Sequence, residues 1–335
     1  LLSLFFVVSP RLDRFTAEIV MPALDRKGFA RKSGSRIKFG EDCMRVGVVF
    51  PQTEIAPDPA VIRDWAQAVE GLGFDHIIAY DHVMGANLAS RPGWNMPYNH
   101  DTPFHEPITL FSFLAGVTTT LELASGIIIL PQRQAALFAK QAANADVFSG
   151  GRLRLGFGIG WNQVEYEALG APFEARGPRL EEQVDLLRKL WTGKPISFDG
   201  RFHKVTDAGI NPPPVKKAIP VWFGGTSEAS MERVARTGDG WIPVLPAAQA
   251  ADKVAEMRER VVRAGRDPSA VGIDNIIFVG ATLGGPVRGP DDAAADHAAW
   301  KNAGASHVTI HTMGAGLKTA DDHLAFLRRV KAAIG

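Results

Sequence analysis

Two short stretches carry residue types suited to chemistry. Asp81-His82 closes an apolar run, Phe74-Asp75-His76-Ile77-Ile78-Ala79-Tyr80. An imidazole at the end of a buried strand can give or take a proton near neutral pH. The plainer alternative is that Asp81 caps a loop and His82 is a satisfied polar residue. Gly224-Gly225-Thr226-Ser227 stands between an apolar run and a helical pattern. Free backbone N–H groups at a helix N-terminus, with two hydroxyls, form an anion site for which phosphate is the natural guest. A simple Ser or Thr cap is the alternative, but a cap needs neither glycine.

A third stretch, residues 152–162, reads as a strand that runs into glycines and then an aromatic residue. Gly156, Gly158 and Gly160 remove side chains where something flat comes close, or where a helix packs tightly, and Trp161 follows. It is not a dinucleotide fingerprint, because Trp161 occupies the third glycine position counted from Gly156. Gly126, in the middle of the apolar run 121–130, suggests a bulge or close ligand approach. Arg133 just beyond suits an anionic group or a plain surface position. Trp161 and Trp241, both near strand ends, could stack on a ring or fill the top of a barrel. The histidines lack metal-ligand spacing and no His-Glu-x-x-His occurs, so no metal is expected. Neither a Ser–His–Asp order nor a glycosidase carboxylate pair can be singled out.

The elements that must position these groups alternate regularly. Strand patterns fall at 46–50, 74–80, 121–130, 152–158, 219–223, 240–243, 271–279 and 307–310. Helical patterns fall between them, at 59–72, 107–120, 134–148, 179–191, 228–237, 247–264 and 291–303, with a last one at 321–333. Residues 198–202 read as a hairpin turn. Residues 161–177 read as a long loop. Segment 91–105, with Trp94, Tyr98 and His105, is too long and aromatic for a routine connection and reads as a functional loop. Eight strand–helix units with no phosphate loop after the first strand predict an α/β fold, a (β/α)8 TIM barrel with insertion loops at its C-terminal face. In such a barrel the site lies at the C-terminal strand ends. An open doubly wound sheet is the rival.

The totals agree with one large soluble unit. The 335 residues are 46% apolar and 22% charged, with a formal net charge of +1. That balance gives no electrostatic reason to expect nucleic acid or a membrane surface as partner. A single cysteine, Cys43, excludes an internal disulfide framework and fits a reducing cytoplasm. Residues 1–43 differ in character: a short apolar start, then a basic, glycine-bearing tract without periodicity. They read as a disordered leader or N-terminal extension, with Met44 as the biological start and 44–335 as the barrel domain.

Several segments together resemble the bacterial-luciferase-like flavin and deazaflavin oxidoreductases. They are Gly73-Phe74-Asp75 with Asp81-His82, Ala139-Lys140-Gln141-Ala142-Ala143 with Asp146-Val147-Phe148-Ser149-Gly150-Gly151-Arg152, residues 156–161, Val221 to Ser227, and Gly238-Asp239-Gly240-Trp241. The likeness runs from Met44 onward and is nearest to the F420-dependent branch. It implies a barrel whose strand ends hold F420 or, alternatively, FMN. It implies a non-prolyl cis peptide at Gly126-Ile127 backing the cofactor ring, with Ile129, Gly158, Gly160 and Trp161 beside it. It implies that Gly224, Gly225, Thr226 and Ser227 hold phosphate, and that His82, aided by Asp81, lies near the reactive ring. Trp94, Tyr98, His105 and Trp241 are then expected to line the substrate pocket. Trp161 stands where sugar-phosphate dehydrogenases of the family carry a Glu, which points to a more apolar small-molecule substrate; Glu165 and Glu167 could partly substitute. The expected activity is hydride transfer between F420 and that substrate. The alternatives are an FMN-dependent monooxygenase and a cofactor-binding barrel without turnover. A cytoplasmic homodimer is the expected assembly.

Overall fold

The computed structural model describes residues 44–281 and 285–335; the expected leader at 1–43 lies outside them. The described residues form a closed barrel. In chain order its elements are β1 (Arg45–Val49), α1 (Pro59–Gly71), β2 (His76–Ala79), α2 (Pro107–Val117), β3 (Glu122–Ser125), β4 (Ile128–Ile129), α3 (Ala135–Ser149), β5 (Leu153–Gly158), α4 (Gln163–Ala168) and α5 (Arg176–Trp191). A hairpin, β6 (Ile196–Asp199) and β7 (Lys204–Ala208), follows, then β8 (Val221–Gly224), α6 (Glu228–Thr237), β9 (Gly240–Ile242), α7 (Ala250–Arg263), β10 (Gly272–Phe278), α8 (Pro290–Asn302), β11 (His307–His311) and α9 (Ala320–Ile334). The parallel sheet runs β3-β2-β1-β11-β10-β9-β8-β5 and closes where β3 meets β5. With β3 and β4 counted as one interrupted strand, this is the eight-stranded barrel expected from the sequence.

The helices form where local signals and burial agree. Asp58 caps α1, accepting from Ala60 N at 2.7 Å, Pro59 opens it, and Ile62, Trp65, Ala66 and Val69 form its buried face. Each large apolar side chain buried this way contributes about 1.5–3 kcal/mol. The expected loop at 161–177 is corrected: it contains α4, and α5 begins at Arg176. The expected third strand at 121–130 is split in two by a cis peptide bond between Gly126 and Ile127.

Strand alternation divides the interior from the helix layer. Inward positions climb from His76 through Ile78 on β2 to Tyr80 just past its end, and from Arg154 through Gly156 to Gly158 on β5. On β10 they run from Asp274 through Ile276 to Phe278, and on β11 from His307 through Thr309 to His311. The bottom is polar and tightly paired. Arg154 bridges Glu122 and Asp274, His76 reaches Asp274 at 3.2 Å and Thr309 at 2.7 Å, and Arg45 joins Glu122 at 2.9 Å. Burial raises the Glu122 carboxyl, but Arg154 and Arg45 outweigh it and hold it at about 2. Above lies an apolar layer of Val49, Ile78, Ala124, Trp222, Ile242 and Ile276. The Trp222 ring fills the space that side chains at Gly240 and Gly272 would need. The mouth therefore sits on a rigid floor.

Candidate functional site

Beyond β2 the chain leaves the sheet as Tyr80-Asp81-His82. Asp81 is buried; its Oδ2 accepts from Ile129 N at 2.9 Å and its Oδ1 from Arg133 Nη2 at 2.7 Å. Burial raises its carboxyl, with Arg133 and the Ile129 N–H partly offsetting that. Asp81 thus anchors β4 rather than His82. Arg133 also donates to Glu106 Oε1 at 2.7 Å, so both of its terminal nitrogens are committed. Of the two readings left open for Arg133, anion ligand or plain surface position, the structure supports neither: the side chain is largely buried and clamps two carboxylates.

His82 instead meets Glu165. Its Nδ1 lies 2.9 Å from Glu165 Oε1, which also accepts from Val83 N at 3.0 Å and Met84 N at 3.3 Å, while Oε2 accepts from Gln132 Nε2 at 3.0 Å. Burial pushes the Glu165 carboxyl up, but the hydrogen bonds from His82, Gln132 and Val83 outweigh it and leave it below the usual carboxylate range. Glu165 is placed by α4, whose first turn is capped by Asn162 (Val164 N to Oδ1, 3.2 Å) and tied to the His82 segment by Asn162 Nδ2 donating to Met84 O at 3.0 Å. The Asn162-x-x-Glu165 spacing matches a helix N-terminus signature and is the signal that could have located α4. In sequence reasoning Glu165 figured only as a stand-in acid.

Aromatic rings close on His82. Tyr98 and Phe104 lie 4.8 Å from its ring centroid and Trp161 5.4 Å, with Trp94 6.1 Å from Trp161. Trp94 Nε1 donates to Tyr98 O at 3.1 Å, which folds the 91–105 loop onto this cluster. A cavity of about 270 Å³ opens between the 82–85 and 98–104 segments. Trp94 and Tyr98, expected in the substrate pocket, come together with Trp161, expected beside the cofactor, and Phe104 joins them unforeseen. His105 does not. It packs on Phe50, 6.0 Å between ring centroids, and lines a separate cleft with Pro57, Pro59 and Phe113. It directly precedes α2, and the helix start carries it away from the mouth.

The cis peptide stands at Gly126-Ile127, the position the resemblance implied. A Cβ at Gly126 would lie 2.5 Å from Ile78 Cγ2 and 3.6 Å from the Tyr80 ring. The Ile127 side chain occupies the space in front of Gly158 and Gly224, where added Cβ atoms would meet it at 2.5 and 2.8 Å. Ile129 covers Gly160 at 2.7 Å. The glycines at 158 and 160 are therefore bare so that these two isoleucines can lie against them, and a flat ring would rest on Ile127 rather than on the glycine backbone. This corrects the expectation that the ring lies on Gly158 and Gly160.

At the β8 end, Gly225 takes a φ of +99° and Ser227 caps α6, accepting from Ser230 N at 3.3 Å. Thr226 and Ser227 are exposed. Trp241 is fully buried and donates Nε1–H to Gly225 O at 2.8 Å. On a strand whose Ile242 points inward, Trp241 must face the helix layer. It supports the turn from behind and does not line a substrate pocket. On the opposite side of the mouth the His311 ring packs between Tyr80 (5.7 Å, stacked) and Phe278 (4.2 Å). Tyr80 Oη and both His311 nitrogens are buried without a hydrogen-bond partner among the described residues.

A family model described as luciferase-like monooxygenase matches residues 44–332. An uncharacterized protein of Mycobacterium tuberculosis is 32% identical over 198 residues, 58% of this chain and 68% of that protein. An FMNH(2)-dependent dimethylsulfone monooxygenase of Pseudomonas putida is 31% identical over 181 residues, 53% of this chain and 46% of its own. An F420-dependent hydroxymycolic acid dehydrogenase of M. tuberculosis is 28% identical over 253 residues, 75% of this chain and 64% of its own. Among solved structures, an F420-dependent secondary alcohol dehydrogenase in complex with an F420-acetone adduct superposes with a TM-score of 0.71 at 16% identity, covering 87% of this chain and 99% of that one.

Proposed function

The chain belongs to the luciferase-like monooxygenase family, whose members are oxidoreductases, and from that premise we propose that it is an F420-dependent oxidoreductase acting on a small, rather apolar organic substrate. The observation that carries the reading is His82, held at the C-terminal strand ends inside a wall of Tyr98, Phe104 and Trp161. The chain's own residues fit a ring cofactor bearing phosphate. Ile127 on its cis peptide offers an apolar, partly exposed platform, and the 224–227 turn, half-buried at Gly224 and exposed beyond it, opens α6 with backbone donors.

When bound, F420 supplies or accepts the hydride. Ile127 and Ile129 back the ring, and Gly224, Gly225, Thr226 and Ser227 bind its phosphate. His82 donates or takes the accompanying proton. The 91–105 loop, with Trp94 and Tyr98, covers the substrate and excludes water. The aromatic wall favours an apolar substrate over a sugar phosphate. His82→Ala should lower turnover by roughly 10²–10⁴-fold while F420 affinity changes little; normal turnover in that variant removes His82 from the reaction.

A second reading, an FMN-dependent monooxygenase, is favoured by the 31% identity to the dimethylsulfone enzyme. Titration with both cofactors separates the two: tight FMN with no F420 binding reverses the order. We also propose a homodimer through α2 and α3, where Phe113, Leu137 and Phe148 stand exposed. A monomeric mass by light scattering removes that assignment.

A further inference from the structure

We propose that Glu165 is a positioning residue: its carboxylate holds His82 in the tautomer that carries its proton on Nδ1, so that Nε2 is the atom that exchanges a proton at the barrel mouth. The inference rests on the reading of His82 as the proton-handling group and adds the atom and the residue that controls it.

The argument starts from the partners of the carboxylate. Among the described residues, its four neighbours within hydrogen-bond distance are His82 Nδ1, Val83 N, Met84 N and Gln132 Nε2. Two are backbone N–H groups, which only donate. Gln132 has to turn its NH₂ group, because its oxygen would meet a carboxylate oxygen with no proton between them. A carboxyl group so surrounded is ionised and has no proton to give. The 2.9 Å contact to His82 therefore needs the proton on Nδ1. This removes Glu165 as a replacement for the acid absent at position 161, although it is the nearest carboxylate in sequence.

Nε2 is then left as an acceptor on the neutral ring and as a donor on the charged one. One atom serves either direction of the reaction. The ring keeps its plane because Tyr98, Phe104 and Trp161 pack around it. The carboxylate also gathers the loops that follow β2, β4 and β5, through Val83 and Met84, Gln132, and α4 itself. An imidazole that loses an orienting carboxylate adopts the wrong tautomer, with a large effect on turnover and a small one on binding.

The test is ¹⁵N NMR of the His82 ring in cofactor-free protein, followed by kinetics with F420. The wild-type ring, when neutral, should be protonated at Nδ1. In Glu165→Gln the Gln132 amide can turn its unpartnered oxygen to the new NH₂ group and leave an accepting oxygen at His82 Nδ1, so the tautomer should persist. Glu165→Met removes the acceptor. A mixed tautomer population is expected there, with kcat lower by roughly 10- to 100-fold and KM little changed. In a His82→Ala background the same substitution should cost no further turnover. A neutral wild-type ring protonated only at Nε2 overturns the proposal, and this needs no variant, so a poorly folded Glu165→Met cannot obscure it. Wild-type kcat in a folded Glu165→Met overturns it as well. Failure of the underlying reading looks different: His82→Ala turns over normally while the wild-type ring still carries Nδ1–H, and the catalytic consequence proposed for Glu165 falls with it.

Discussion

The indole N–H of Trp241 donates to the carbonyl oxygen of Gly225 at 2.8 Å, so a residue in the helix layer holds the turn at the barrel mouth. Gly225 sits at a φ of +99°, where few side chains are tolerated, and the turn depends on that conformation. Trp241→Phe keeps most of the packing and leaves the Gly225 carbonyl without its donor. A loss of about 1–3 kcal/mol in stability is expected, together with a several-fold weaker affinity for the cofactor phosphate. Urea denaturation and calorimetric titration with F420 measure the two effects. Lower stability with unchanged affinity would show that the turn keeps its shape without this bond.

The glycines of β5 differ in what stands against them. A Cβ at Gly156 would lie 2.2 Å from the backbone oxygen of Ser125, which cannot move without breaking the sheet. A Cβ at Gly158 would lie 2.5 Å from the terminal carbon of Ile127, which can. Gly156→Ala should therefore destabilise by more than Gly158→Ala, for which about 1–3 kcal/mol is expected. Ile127→Ala should rescue only the second. A double-mutant cycle on urea midpoints reads the coupling; equal rescue of both variants contradicts this geometry.

The barrel was legible because its strands, covered on both sides, must be apolar runs. The glycine at 126 could be read as a break within one of them. Two kinds of information were not legible. Local parity on a three-residue strand gives no sign that Ile242, and not Trp241, points inward. Long-range pairing leaves no local pattern, so His82 and Glu165, 83 positions apart, could not be joined. The α4 helix was missed because six residues between a glycine and a proline show too little periodicity, although Asn162 and Glu165 marked its start. Tyr98 and His105 share one loop, and nothing in the spacing told that α2 begins just after His105 and takes it to Phe50.

Acid should weaken the fold in a definite window. Burial, first of all, lowers the imidazole of His307 to about 3 and that of His311 to about 4. Both are neutral in the folded protein well below the usual histidine value of about 6.5, whereas the unfolded chain takes up those protons. The unfolded state then binds more protons between pH 6.5 and 4, so stability falls as pH falls through that range. His311→Phe keeps a ring between Tyr80 and Phe278 and removes one of the two groups. The slope of stability against pH between 6 and 4 should drop by about 1 kcal/mol per pH unit. An unchanged slope means that His311 is charged in the folded protein.

Arg133 offers the sharpest contrast between a ligand site and a structural clamp. Its side chain is 14% exposed and bonds Asp81, which is fully buried, and Glu106. Arg133→Met leaves Asp81 with the Ile129 N–H alone. Removing one member of a buried pair costs about 3–5 kcal/mol, because the remaining charge stays unpaired. Burial already raises the Asp81 carboxyl, and without Arg133 it rises further. The penalty should therefore be largest at neutral pH and shrink as acid protonates Asp81. Asp81→Asn added to Arg133→Met should recover part of the loss at neutral pH, since no charge is then stranded. Phosphate affinity should match wild type in every folded variant. Weaker phosphate binding in Arg133→Met with wild-type stability would return Arg133 to the role of anion ligand and free Asp81 from its part in holding β4.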